Sequence, residues 1–295
     1  MLIKKLGLMV ALSSLSLSAL ASTQYVAPDW DFRSNGTDTI NVSVTAHDGD
    51  TQSVNGNKYE LTGQVAGIDL LISAWSSSWY GNYAENCGTL ALDRCVQKSK
   101  LKQYSSGLGV VNGDEGDDTP NHSTDNNNQD YDMVLLSFSE SVNISKLYTG
   151  WNYSYNGSSR TRGTAGASVL AWGNEDTSPT MPFSRIETWR DIVDGGWSIV
   201  NNDTKSGGNV VSDSNGKLLD VLPVSSGNLY SKFWLVGAAH SVFRDAGLTD
   251  HLTDHIKIAG IDFVKRSTST GQVNAPGTLV FFLGCLVFMV ARRKS

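Results

Sequence analysis

Between Gly107 and Phe138 the chain reads GLGVVNGDEGDDTPNHSTDNNNQDYDMVLLSF. Asp114, Asp117, Asp118, Asp125, Asn126, Asp130 and Asp132 crowd into 19 residues of it. Calcium takes roughly six to eight oxygen ligands from carboxylates and carbonyls. Like charges at this density repel one another unless a cation bridges them or water solvates them. The segment therefore reads as a candidate calcium loop or as a solvated acidic loop. It is not an EF-hand, because no Asp-x-Asp-x-Asp-Gly run with a closing Glu occurs. His251 and His255 stand four apart beside Asp250 and Asp254. A metalloprotease helix needs His-Glu-x-x-His, and this chain has His-Leu-Thr-Asp-His leading into an apolar run, so a surface loop is expected there.

A second chemistry is sugar binding. Trp151, Tyr153 and Tyr155 alternate in Trp-Asn-Tyr-Ser-Tyr, and on a strand period two puts the three rings on one face. Such a stripe either packs in a core or stacks on sugar rings. Trp75, Trp79, Tyr80 and Tyr83 form a looser group in a Ser- and Gly-rich stretch. For catalysis the chain offers no Gly-x-Ser-x-Gly elbow and no phosphate-cradling Gly-x-x-x-x-Gly-Lys loop. A glycosidase pair of carboxylates is set by a separation that sequence does not measure. The expectation is a non-enzyme, with a carbohydrate-binding module and a surface-anchored hydrolase as the alternatives.

The elements that must position these residues are strands. The chain has 295 residues, 29 Gly, 23 Asp and only 6 Glu. Asp favours turns and Glu favours helix interiors, so the balance points to an all-β protein with many turns. Alternating or compact apolar runs predict strands over Thr39–Thr45, Leu61–Trp75, Asp132–Phe138, Val142–Trp151, Ala167–Trp172, Trp197–Val200, Lys217–Val221, Phe233–Ala239 and His255–Val264. Turn clusters fall at Asn112–Asp118, Tyr155–Gly166, Asn201–Asn209 and Asp213–Gly216. One short helix is expected over Phe183–Ile192. A single β-sandwich domain, jelly-roll-like, over residues 22–266 accommodates these runs.

Charge and cysteines bound the partners and the compartment. The net charge is −6, and setting aside the five cations at the two ends takes it to −11. A nucleic-acid binder needs a basic face, so nucleic acid is excluded as a partner. Of three cysteines, Cys285 lies in the C-terminal apolar run. Cys87 and Cys95 either form a disulfide or remain two thiols; a bridge over so short a loop adds about 2–3 kcal/mol.

The ends carry addresses. Lys4 and Lys5 precede an apolar stretch that closes on Ala19-Leu20-Ala21. That is a secretory signal peptide, residues 1–21, cut after Ala21. It implies the Sec translocon and signal peptidase. After a spacer at 267–272, the chain ends in VNAPGTLVFFLGCLVFMVARRKS. The apolar run Thr278–Ala291 has 14 residues, roughly 21 Å as a helix, short for a permanent crossing. Arg292, Arg293 and Lys294 stay cytoplasmic by the positive-inside rule. A plain tail anchor is the alternative to a removable tail.

This end resembles the PEP-CTERM class of sorting signals that exosortases process: a short Pro-containing motif, a short transmembrane helix and a basic cluster. The motif here is Val273, Asn274, Ala275, Pro276 and Gly277 in place of Pro-Glu-Pro, as in variant tails of exosortase-dependent surface proteins. The segment with Gly107–Val110, His122, Asp125, Asn126 and the strand Met133–Phe138 resembles one in exported proteins with such tails. The resemblance implies an exosortase-type partner and passage through the inner membrane. It also implies delivery to the cell surface or to an exopolysaccharide matrix, with a structural or adhesive role there. The intact mass of the mature protein is expected to lack residues 1–21 and the stretch after about Val273; a mass that retains Arg292 to Ser295 refutes the sorting signal.

Overall fold

The computed structural model describes residues 28–33, 57–58, 60–65, 67–77, 95–111, 123–126, 131–156, 158–174, 179, 187–213, 215–243 and 253–266. Its strands, in chain order, are β1 (Trp30–Asp31), β2 (Asn57–Lys58), β3 (Glu60–Val65), β4 (Ile68–Ser77), β5 (Val96–Tyr104), β6 (Gly107–Val111), β7 (Thr124–Asp125) and β8 (Tyr131–Asn156). They continue with β9 (Ser159–Arg162), β10 (Ala167–Trp172), β11 (Trp197–Thr204), β12 (Val210–Ser212), β13 (Leu218–Pro223), β14 (Ser231–Ala238) and β15 (Thr253–Lys265). A single α-helix, α1, spans Trp189–Asp194 among the described residues. All fifteen strands join one sheet. The expected strand at Thr39–Thr45, the signal peptide with Ala19 and Ala21, and the tail all lie outside the described residues. Among the described residues no helix is long and apolar enough to cross a membrane.

The sheet closes on itself. β15 pairs with β6, β6 with β5, β5 with β4, β4 with β8, and β8 returns to β15. The 26-residue β8 makes this possible. Its first half lies between β4 and β14, with Leu135 opposite Ser73 on one side and Leu235 on the other. Its second half pairs with β15 from Val142–Lys265 to Tyr155–Thr253. The change of partners falls at the exposed Ser139 and Glu140.

Burial follows from this dual use. Val134, Leu136 and Phe138 enter the main core with Ile72, Trp234 and Ile258. Tyr131, Met133 and Leu135 point the other way, into a second cluster with Trp189, Ile192 and Phe243. A strand covered on both faces reads as a continuous apolar run, which is why Met133–Phe138 shows no alternation. α1 helps cover the second cluster. Its cap is Thr188, whose hydroxyl accepts from Asp191 N–H at 3.2 Å while the Asp191 carboxylate accepts from Thr188 N–H at 2.8 Å. This capping box places the helix start later than the expected Phe183.

Two expected turns are strand in part, with turns at Ser158, Gly163 and Gly207–Gly208. β11 continues to Thr204, and β8 runs through Tyr155 into a hairpin with β9. Beyond the hairpin, Asn152 Oδ1 accepts from Ala165 N–H at 3.0 Å, so a side chain takes the place of a ladder partner. Two glycines permit close approach around the turn at Ser105 and Ser106. Gly107 has φ +123°, and a Cβ there would sit 2.4 Å from the Ile258 carbonyl oxygen. At Gly150 a Cβ would meet the Ser106 carbonyl oxygen at 2.3 Å.

The first strand is tied down by a buried ion triad. Arg33, 7% exposed, donates from Nε and one terminal nitrogen to Asp31 at 2.9 and 2.6 Å and from the other to Asp213. Burial pushes the Asp213 carboxyl up, but the Lys217 N–H, Arg33 and the Asn215 N–H outweigh it and hold it below its ordinary value. Truncating one member of such a set leaves buried charge unpaired. Arg33→Ala is expected to cost about 3–5 kcal/mol in a urea melt; a loss under about 1 kcal/mol would show the triad to be dispensable.

Candidate functional site

Trp151, Tyr153 and Tyr155 occupy alternate positions near the end of β8. Between them, Asn152 lies opposite Ile256, a main-core residue. The three rings therefore face away from that core. They are half-buried and belong to none of the three apolar clusters, so they are not the core residues that strand aromatics commonly become. Of the other expected aromatics, Trp75 is in the core, and Trp79, Tyr80 and Tyr83 lie outside the described residues.

Register brings cations to this row. Arg160 of β9 stands opposite Tyr155, Arg162 opposite Tyr153, and Lys257 of β15 opposite Trp151. The Trp151 and Tyr153 ring centroids are 4.6 Å apart. The Arg160 guanidinium lies 4.7 Å from the Tyr153 centroid and 5.6 Å from that of Trp151. Guanidinium groups are attracted to ring faces at such distances.

Lys257 is 4% exposed. Its ammonium lies 3.7 Å from the Tyr104 centroid and 5.4 Å from that of Trp151. Lys102 approaches the same Tyr104 ring at 5.4 Å. Among the described residues no carboxylate pairs with Lys257, and ring faces stabilise it. Burial, and then Lys102, pushes its pKa down to about 8.

Next to the row is a pocket of about 250 Å³, lined by Arg33, Ser105, Ser106, Gly150, Arg162, Lys217, Leu218 and Leu219. Arg162, opposite Tyr153, is common to the row and the pocket wall. Lys217 Nζ donates to the Ser105 carbonyl at 3.4 Å. Arg162 Nε lies 3.5 Å from the Asp220 carboxylate, and a terminal nitrogen donates to the Leu218 carbonyl at 3.4 Å. Burial raises the Asp220 pKa, against the pull of Arg162.

The acidic segment is put to a different use. Asp125 is 1% exposed, in β7 against β15. Ser123 Oγ donates to its carboxylate at 3.2 Å, and His255 Nδ1 lies 3.3 Å away. Asn126 Oδ1 accepts from Asp254 N–H at 2.7 Å, and its amide donates to the Ala239 carbonyl at 2.7 Å. Asp132 is buried in β8, where it accepts from Asp125 N–H at 3.4 Å. These three residues pin strands together rather than lining a solvated loop. Among the described residues no group of three or more His, Cys, Asp or Glu is arranged to hold a metal. Asp114, Asp117, Asp118, Asp130 and His122 lie outside them.

His255 overturns the expected surface loop: it is 2% exposed within β15. Its Nδ1 meets both Ser123 Oγ, at 2.9 Å, and Asp125. A Ser-His-Asp relay needs the hydroxyl and the carboxylate on opposite ring nitrogens, so this set is not one. Tyr155 packs on the His255 ring edge-to-face at 4.6 Å. His251 lies outside the described residues. Cys95 is buried and disulfide-bonded; Cys87 lies outside the described residues.

The sequence reading singled out the rings and missed Tyr104, Lys257, Arg160, Arg162 and Lys217. One signal was available: Lys257 is a lone charge inside the apolar run Ile256-Lys-Ile-Ala-Gly-Ile. No family model, no curated protein and no solved structure matches the chain.

The Lys257 environment has a measurable consequence. An unfolded lysine keeps its proton up to a pKa near 10.5. Between about pH 8 and 10.5 the unfolded chain binds more protons, so this residue makes stability rise with pH there, and its penalty is complete below 8. Lys257→Met is expected to gain about 1–3 kcal/mol at pH 7. The gap from wild type should close between pH 8 and 10.5 in urea melts; a gap independent of pH would contradict the buried-charge account.

Proposed function

We propose that this chain is an exported, non-catalytic surface or matrix protein that adheres to extracellular polysaccharide through Trp151, Tyr153 and Tyr155. The observation that carries the reading is the row itself: three rings on one strand, outside every apolar cluster, backed by a closed sheet. Aromatic rings offer a large apolar face with a polar edge, a match for sugars that are apolar on one face and hydroxylated at the rim. A platform built on strands needs little ordering when ligand arrives.

The chain ends supply delivery in this reading. The Sec translocon and signal peptidase act on residues 1–21. An exosortase-type enzyme then acts at the Val273–Gly277 motif while Thr278–Ala291 rests in the inner membrane. The same reading takes the wrapped sheet as a jelly-roll-like β-sandwich whose two layers share β8, flanked before processing by the signal helix and the tail helix.

The test is an affinity gel carrying a panel of neutral and acidic polysaccharides. Wild type is expected to be retarded by at least one polymer, and Trp151→Ala to weaken that retardation about ten-fold while still unfolding in one cooperative transition. Retardation by none of the panel, or equal retardation of Trp151→Ala, would overturn the adhesive role.

A further inference from the structure

We propose that the aromatic row and the adjoining pocket select a polyanionic polysaccharide, one whose sugars carry carboxylate, sulfate or phosphate groups. The inference rests on the adhesive reading above and specifies its ligand.

The first support is a local inversion of charge. The chain carries −6, yet cations converge here from three strands and a loop: Lys102, Arg160, Arg162, Lys257 and Lys217. Only Arg162, against Asp220, has a carboxylate within ion-pair distance. Lys102, Arg160, Lys217 and Lys257 have none among the described residues. Among the described residues, the nearby carboxylates Asp220, Asp31 and Asp213 are engaged by Arg162 and Arg33, which leaves the other four cations without one.

The second support is Lys257. A buried ammonium without a counter-charge is unfavourable to the fold. Tyr104 and Trp151 stabilise it through their ring faces, which offset only part of that cost. An anion arriving beside Trp151 would complete the pairing that the fold leaves open. Among the described residues the groups facing Lys257 are Lys102 and Tyr104 from β5 and Trp151 from β8, and none of them is a carboxylate.

The pocket sets the scale. At about 250 Å³ it is below the range for drug-sized ligands, about 300–1,000 Å³. It therefore suits one sugar unit or its acidic substituent, with the rest of the polymer lying along the rings. Arg162 and Lys217 sit on its wall, and Arg162, opposite Tyr153, connects it to the row. A single-stranded nucleic acid also combines charge with stacking. The net charge of the chain opposes both polymers alike; it is the exported, matrix-facing reading above that favours the glycan.

The experiment is calorimetric titration of the mature protein with three polymers: a polyuronate, a neutral dextran and an oligodeoxythymidylate. The polyuronate is expected to bind at least ten-fold more tightly than dextran, and more weakly as salt rises. Arg160→Gln and Lys257→Met should each lower polyuronate affinity about ten-fold. Arg160 is exposed, so its variant does not depend on refolding a core. Equal binding of polyuronate and dextran would overturn this inference and leave the adhesive reading standing. Binding of neither would sink both. Preference for the oligonucleotide, or variants with unchanged polyuronate affinity, would overturn the polyanion assignment.

Discussion

The pairing of β8 with β15 is the contact on which the rest of the structure depends. It closes the sheet into a ring, and the main core is what that ring encloses. Without it two long strands would have open edges, which invite pairing between molecules. The same pairing builds the surface site. It sets Lys257 opposite Trp151 and His255 opposite Tyr153, and a slip of one residue would send every one of these side chains to the other face. The bulges along the pair, including the one between Lys257 and Ile258, are therefore part of the design of the site.

Stability and surface chemistry pull against each other at that seam. On the core side, Ile256, Ile258 and Ile261 supply apolar burial. On the other side, the strand carries a nearly buried ammonium wedged between rings. Proteins often keep unfavourable arrangements of this kind where activity needs them. The buried polar set around Asp125 is the contrasting case. Its groups satisfy one another through Ser123, His255 and Asn126, and it serves to join β7, β8 and β15.

Legibility in the sequence depended on how local each signal was. Ala167–Trp172 was read with its observed bounds, because an apolar run between turn residues needs no distant partner to be recognised. Ser139, Glu140 and Ser141 read as a break between strands, and the chain stays extended there because its partners change while its direction does not. β5 was missed since Lys98, Lys100 and Lys102 dilute its apolar content. Asp125 and Asn126 were read as solvated or metal-bound on local composition, whereas what fixes them is His255 and Asp254, far along the chain. The rings of the site were visible by period two. Their cations come from β5, β9 and β15, and no single stretch of sequence reveals that register.

The order of the strands also sets a clock. Asp29 accepts a hydrogen bond from Phe263 N–H across 234 residues, and β1 pairs with β15 beside it. A chain made N-terminus first has no closed ring to fold into until β15 is complete. Contacts this distant in sequence form slowly. During that wait β6 and the second half of β8 hold unmatched edges, the form in which strands pair between molecules. β15 is the last strand among the described residues, so closure of the ring waits for nearly the whole chain.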